Sequence, residues 1–400
     1  MKEINALLLT NILCVSAMMA FLSVVGPIIR ALGMAEWHAG VTVAIAGIVW
    51  IFLSRYWGKK SDKIGRKPVL LIGVAGFALF YFALSFYIDF ALLSPQSVWL
   101  SLAVLILTRG LIGAFYSAIQ PASTALIADK IAPALRASYI AKIGAASGLG
   151  MVIGPMAGGA LAHYGLSVPL YASSILPLFA LGALWYLLPS KEIRQEEVSE
   201  PVKIFDSRLR LPMSAAFLTM YSVVSSQVCT GFFILDSFKE SAIQSAQTTG
   251  YVLSMVGFLF IFAQVIVMKK REVAPETWLK NGALLSMLGF LIVALMESKG
   301  VLMLGFGIAA IGLGMIFPAF QALAANSVGA DEQGAAAGTV SSAQGMGIII
   351  GPLASTALYQ LAPLLPFLVA SLAFATLTIM AFLTLRKEAK RAKAALQSQG

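Results

Sequence analysis

The stretch GKKSDKIGRKP, Gly58–Pro68, joins two long apolar runs, HAGVTVAIAGIVWIFLSRYW before it and VLLIGVAGFALFYFALSFY after it. It carries Lys59, Lys60, Lys63, Arg66 and Lys67 and a single acid, Asp62. The flanking runs set the frame for this loop. Each is close to the roughly 20 residues that a helix needs to cross a bilayer core. Working outward gives twelve such runs: 5–29, 38–57, 69–88, 98–121, 139–162, 168–188, 212–235, 248–268, 278–296, 300–324, 335–360 and 363–385. None alternates apolar and polar residues as a barrel strand does. Of the 400 residues, 59% are hydrophobic and 12% charged. A water-facing surface takes about 25% charged residues, so the solvent of this chain is lipid. The expected fold is an all-α membrane protein of twelve transmembrane helices in two six-helix pseudo-symmetric bundles.

Charge gives the orientation. With the 58–67 loop on the cytoplasmic side, 24 of the 28 Lys and Arg lie on that side and three, Arg30, Lys239 and Lys299, on the other. Arg109 alone lies near the middle of a span. This bias is the positive-inside signal, and it places both termini in the cytoplasm. The net charge of +10 is therefore a topology signal, with no nucleic acid implied. The first apolar run is longer than the 7–15 residues of a signal-peptide core, so it reads as the first span. Cys14 and Cys229 both sit in apolar runs and read as small buried hydrophobes, with no metal spacing. His38 and His163 lie at span ends, no nucleophile–base pair suggests itself, and no G-x-x-x-x-G-K-[ST] loop is present. An enzyme, a cofactor and ATP-driven transport are not expected.

The one break in composition is PSKEIRQEEVSEPVKIFDSRLRL, Pro189–Leu211. It divides the chain into an N-terminal bundle, 1–188, a cytoplasmic linker, 189–211, a C-terminal bundle, 212–386, and a basic cytoplasmic tail, 387–400. The halves repeat. GMVIGP ending at Pro155 matches GIIIGP ending at Pro352, and at the same spacing QPASTALIA (120–128) matches FPAFQALAA (317–325). Parallel repeats of six spans are a transporter architecture with the substrate site near the midplane.

GKKSDKIGRK resembles the loop between the second and third helices of the major facilitator superfamily. Gly58, Ser61, Asp62, Lys63, Gly65, Arg66 and Lys67 match, and Lys60 stands where the family usually has an apolar residue. The resemblance implies that the loop's acid meets the N-terminal end of helix eleven, here near Gly334–Gly338. It also implies that Arg66 pairs with an acid at the end of helix four, here Asp129. Gly58, Asp62, Gly65, Arg66 and Asp129 would then form a gating latch.

LILTRGLIGAFYSA (105–118) resembles the family's fourth-helix motif through Arg109 and Gly113. Arg109 lies ten residues from Trp99, about 15 Å along a helix, which is mid-membrane. A charge there is costly and marks a functional residue; the resemblance implies a role in proton coupling. GAASGLGMVIGPMAGG (144–159) resembles the fifth-helix motif of the superfamily's twelve-span drug/proton antiporters through Gly150, Gly154, Pro155, Gly158 and Gly159. A glycine face lets a neighbouring backbone approach closely, and the family's contact there is between helices five and eight.

No carboxylate falls mid-span in the first half. Asp236, in FFILDSF at the outer end of span seven, is the nearest to a cavity; with protons as the coupling ion, Asp236 or Asp129 must titrate, or the substrate itself must carry the proton. Asn11, Tyr116, Gln120, Gln227 and Gln321 fall on helices that line the family's cavity. A cavity with an Arg and no acid favours neutral or anionic cargo. The expected function is efflux of a small organic molecule (a drug, a siderophore or another metabolite) by proton antiport, from a monomer in the inner membrane. The alternative is a proton-coupled uptake symporter.

Overall fold

The computed structural model describes residues 2–188, 206–270, 272–329 and 332–397. Among them there are thirteen α-helices and no strand: α1 (Lys2–Ala31), α2 (Glu36–Ile64), α3 (Arg66–Leu93), α4 (Val98–Tyr116), α5 (Ile119–Lys130), α6 (Pro133–Leu161), α7 (Val168–Leu187), α8 (Arg210–Phe238), α9 (Ala242–Lys269), α10 (Pro275–Ala294), α11 (Lys299–Asn326), α12 (Gln333–Leu361) and α13 (Leu365–Gln397). Most of the 189–211 linker, residues 189–205, lies outside the described residues. The last helix continues through the basic tail to Gln397.

Among the described residues, eleven segments are long and apolar enough to cross a membrane. The twelfth long helix, α12, has 29 residues, and Gly, Ser, Thr and Gln dilute its hydropathy. The fourth segment runs over Val98–Lys130, further than residue 121, and is broken between α4 and α5 at Ser117–Ala118. The break sits one turn before Pro121, which has no N–H to offer the Ser117 carbonyl. The Ser117 hydroxyl turns back to the Ala114 carbonyl at 2.7 Å.

Local chemistry sets the helix ends. Gly65, between α2 and α3, has φ +97°, a conformation that a residue with a Cβ adopts only under strain. Its N–H closes α2 on the Ser61 carbonyl at 3.0 Å. Ser97 caps α4 and Ser298 caps α11. Large apolar side chains of α3, among them Leu79, Phe82 and Phe86, are exposed, as a lipid-facing stripe requires.

The chain forms two compact units. One comprises Met1–Val198, Gln227–Ser254 and Pro352–Gln360; the other comprises Ser199–Ser226, Met255–Gly351 and Leu361–Gly400. The first unit therefore holds the first six spans together with end segments of α8, α9 and α12. In the second, Gly347 and Gly351 of α12 lie against α8: a Cβ on Gly347 would meet the Phe217 carbonyl oxygen at 2.6 Å. In the first unit α6 meets α1 in the same way, so the sequence repeat is also a repeat of contacts.

Candidate functional site

Three arginines organise the first unit. Arg66 opens α3, just past the Gly65 turn. Its Nε donates to Asp129 Oδ2 of α5 at 2.9 Å, and its Nη1 donates to Ser61 Oγ at 2.7 Å and to Asp62. Ser61 in turn donates to the Gly58 carbonyl at 2.7 Å. One guanidinium thus fixes the end of α2, the start of α3 and the end of α5. Its neighbour Lys67 reaches a different helix. The Lys67 Nζ donates to the Trp185 and Leu188 carbonyls at 2.7 and 2.6 Å, closing the C-terminal end of α7 where orphan carbonyls carry partial negative charge.

Arg109 of α4 is 2% exposed and meets no carboxylate among the described residues. Its Cζ lies 4.3 Å above the Phe21 ring, its Nη1 is 3.7 Å from Met18 Sδ, and the Tyr81 phenol is its polar neighbour. Tyr81 itself donates to the Ala17 carbonyl at 2.8 Å. The Arg109 Nε has no partner among the described residues. A desolvated cation–π contact supplies about 2 kcal/mol, whereas taking a cation out of water costs several kcal/mol. The contacts in place do not offset the burial of this charge, which makes Arg109 the strongest candidate for a working group.

The glycine face of α6 lies mainly on α1 and not on the eighth span, as the resemblance implied. A Cβ on Gly150 would meet Val15 Cβ at 2.8 Å, one on Gly154 would meet Met19 Cβ at 2.8 Å, and one on Gly158 would meet the Ala20 carbonyl oxygen at 2.7 Å. Any side chain there drives the two backbones apart. The eighth span, α9, meets the end of the motif only: Gly250 lies against Gly159 and the Pro155 carbonyl. Ser254 adds a hydrogen bond to the Val152 carbonyl at 2.9 Å.

Asp236 is already engaged. Arg30 Nη2, at the end of α1, lies 2.8 Å from Asp236 Oδ2 and 2.6 Å from Glu36 Oε1. Tyr359 of α12 donates to the same Asp236 oxygen at 2.9 Å, and Phe232 lies beneath the Arg30 guanidinium. This second cluster ties α1 and α2 to the ends of α8 and α12. Sequence reasoning counted Arg30 only as an outer charge. Its rarity on that side was the available signal, since a lone cation among so few asks for a partner.

The expected cavity residues separate. Asn11 is buried, donates to the Leu7 carbonyl at 2.9 Å and accepts from Ser147 of α6 at 3.4 Å, which makes it a tie between helices. Tyr116 is half-buried beside Phe77. Gln227 is half-buried with Nε2 3.9 Å from Met19 Sδ. Gln120 is exposed and lines an open groove of about 510 Å³ between α2 and α5, with Trp50, Ser54, Pro121 and Thr124. Gln321 of α11 is exposed in the second unit.

The sequence profile of the Major Facilitator Superfamily matches residues 7–295 and 277–400. The chain belongs to this superfamily. Members are transporters, so it is a multi-pass membrane transporter and not an enzyme. This superfamily member is 28% identical over 339 residues, 81% of each chain, to the class G tetracycline resistance protein of Vibrio anguillarum. It is 24% identical over 347 residues, 83% of each chain, to the quinolone resistance protein NorA of Staphylococcus aureus (strain MRSA252). Its fold matches the crystal structure of a bacterial homologue of the human lysosomal transporter Spinster, with a TM-score of 0.77 over 96% of each chain at 13% identity.

Proposed function

We propose that this transporter exports a small organic molecule in exchange for protons. The observation that carries the reading is Arg109, buried in α4 with no carboxylate partner among the described residues, in a chain whose relatives are drug resistance proteins. A fixed cation held by a ring, a sulfur and a phenol favours neutral or anionic cargo, such as planar drugs or carboxylate siderophores. The 24-to-3 division of basic residues supports a cytoplasmic position for the Arg66 cluster and an outer position for the Arg30 cluster, in what we take to be a bacterial inner membrane. Asp62, Arg66 and Asp129 act as the latch at the cytoplasmic end. Asp236 and Asp129 are both paired with arginine, so a coupling proton competes with an ion pair at either position.

The test is a pH-gradient assay in inverted vesicles with tetracycline, a quinolone and a carboxylate siderophore, comparing wild type with Arg109→Ala. Proton release from the acidified lumen on adding one compound, lost in the variant, is the expected result. A folded wild-type protein that responds to none of them overturns the reading.

A further inference from the structure

Trp50, Ser54 and Trp57 fall at i, i+4 and i+7 on α2 and so share one face of that helix. Trp57 anchors the face: its Nε1 donates to the Ala114 carbonyl of α4 at 2.7 Å. Gly58 follows, where a Cβ would lie 3.7 Å from Pro121 Cβ of α5. These contacts fix the spacing of the helices, and Trp50 and Ser54 are left to line, with Gln120, Pro121 and Thr124, an open groove of about 510 Å³. Pockets for small molecules run from about 300 to 1,000 Å³ and combine apolar walls with a few polar groups. The groove begins near the break between α4 and α5 and ends at Ala128, one residue before Asp129, which Arg66 holds.

The polar groups of the groove are uncommitted. The Trp50 Nε1 is buried with no hydrogen-bond partner among the described residues, which costs stability until something accepts from it. The Gln120 side chain is exposed, and nothing among the described residues bonds to its amide. Ser54 and Thr124 donate to carbonyls of their own helices, those of Ile51 and Gln120, at 3.0 Å each, and keep lone pairs to accept. No lining residue is ionised, and Asp129, beyond the end of the groove, is already paired. A charged ligand finds no counter-ion there, and an unpaired charge beside apolar walls is costly. We propose that this groove is a binding site for uncharged aromatic cargo, with Trp50 and Gln120 as its specificity-determining residues. The indole covers the ring of the ligand and its N–H turns to a ligand oxygen, while the Gln120 amide bonds a carbonyl or hydroxyl. The proposal rests on the export reading for one point only, that the ligand is cargo. The end of the groove beside the Arg66 cluster is then where cargo from the cytoplasm first meets the protein.

Binding is read by protection of a thiol. Full-length protein in lipid nanodiscs carries Cys14→Ser and Thr124→Cys, so its thiols are Cys229 and the one at position 124 in the groove. The probe is chloramphenicol, an uncharged nitrophenyl compound with an amide and hydroxyls. Labelling by N-ethylmaleimide is followed at each position by peptide mass spectrometry, with and without the probe. Cys229 is fully buried, two residues from Gly231, which lies against Gly26 and Pro27 of α1, so its labelling speeds on opening or misfolding and serves as the control. The probe is expected to slow position 124 alone, saturably, which gives an apparent Kd. Gln120→Leu and Trp50→Phe are each expected to raise that Kd about fivefold, the scale of one hydrogen bond. Trp50→Phe removes a buried unsatisfied donor, so it is expected to melt at or above its background, which separates lost binding from lost folding. The hemisuccinate ester of chloramphenicol adds a carboxylate and is expected to protect about tenfold more weakly. No protection at position 124, or an unchanged Kd in both variants, overturns the site; equal protection by the hemisuccinate overturns the uncharged class. Labelling needs no gradient. Absent protection therefore leaves the efflux assay standing, and a silent efflux panel leaves a binding groove whose ligand is not exported.

Discussion

Arg66 and Arg30 each gather two carboxylates, at two separate places in the first unit, and the resemblance ends there. Arg66 collects Asp62 and Asp129 from α2 and α5, all within the first six spans. Arg30 collects Glu36 from α2 and Asp236 from α8, so it crosses between helices that lie far apart in the chain. The Arg66 side chain is 12% exposed and that of Arg30 37%. Depth and connectivity go together. A buried cluster within one set of helices is the fixed side of the proposed latch, and its own bonds need not be remade when the latch opens. A cluster that holds separate parts of the chain together must be weak enough to break, and water at its edge keeps it so.

The strongest way to break this comparison is Arg66→Ala. It leaves Asp62 and Asp129 facing each other in a partly buried site, and breaking a buried pair costs about 3–5 kcal/mol, less here because both acids keep some contact with water. The thermal midpoint in detergent is expected to fall by several degrees. Arg66→Lys is expected to restore only part of it, because one ammonium does not reproduce the Nε and Nη1 donors. Arg30→Ala is the next test. It is expected to cost about 1 kcal/mol or less and to be nearly silent in a melting curve, yet to speed labelling of Cys229. A larger melting shift for Arg30→Ala than for Arg66→Ala contradicts the division into fixture and tie.

The smallest effect belongs to the second unit. Arg208 holds Glu332 through two hydrogen bonds of 2.9 and 3.0 Å and also meets Asp206, all at the surface. The guanidinium keeps both carboxyls below the usual carboxylate range. A lowered folded value means that the stabilisation is present above the ordinary glutamate value of 4.5 and is lost as pH falls below it. Arg208→Ala should therefore melt slightly below wild type at neutral pH and level with it in acid. Molar salt should erase the difference, because exposed pairs are screened.

Much of this was legible in the residues. The Gly58–Pro68 loop pointed to Arg66 and its acids because their spacing is local or set by a motif. Arg109 was legible because a lone charge in an apolar run has few explanations. The Arg30 cluster was not. Its members lie 206 and 123 residues apart, Arg30 to Asp236 and Asp236 to Tyr359, and no periodicity links positions at such distance. The partner of a glycine face is hidden for the same reason. Gly150, Gly154 and Gly158 announce a close approach but not that α1 makes it. The break between α4 and α5 was half visible: Pro121 was there to read, while the Ser117 hydroxyl that stabilises it takes three-dimensional form to notice.

The make-up of the first unit has a consequence for biosynthesis. Gly26, Gly40 and Gly159 find their neighbours in Phe232, Pro352 and Gly250, so part of this unit has no partner until the ribosome has passed the middle of α12. Translation at about 5–20 residues per second leaves these glycine surfaces without their partners for about 5–60 seconds. The early spans must be inserted and retained before they are complete, and a nascent chain truncated ahead of residue 352 should be a substrate for membrane quality control rather than a stable half.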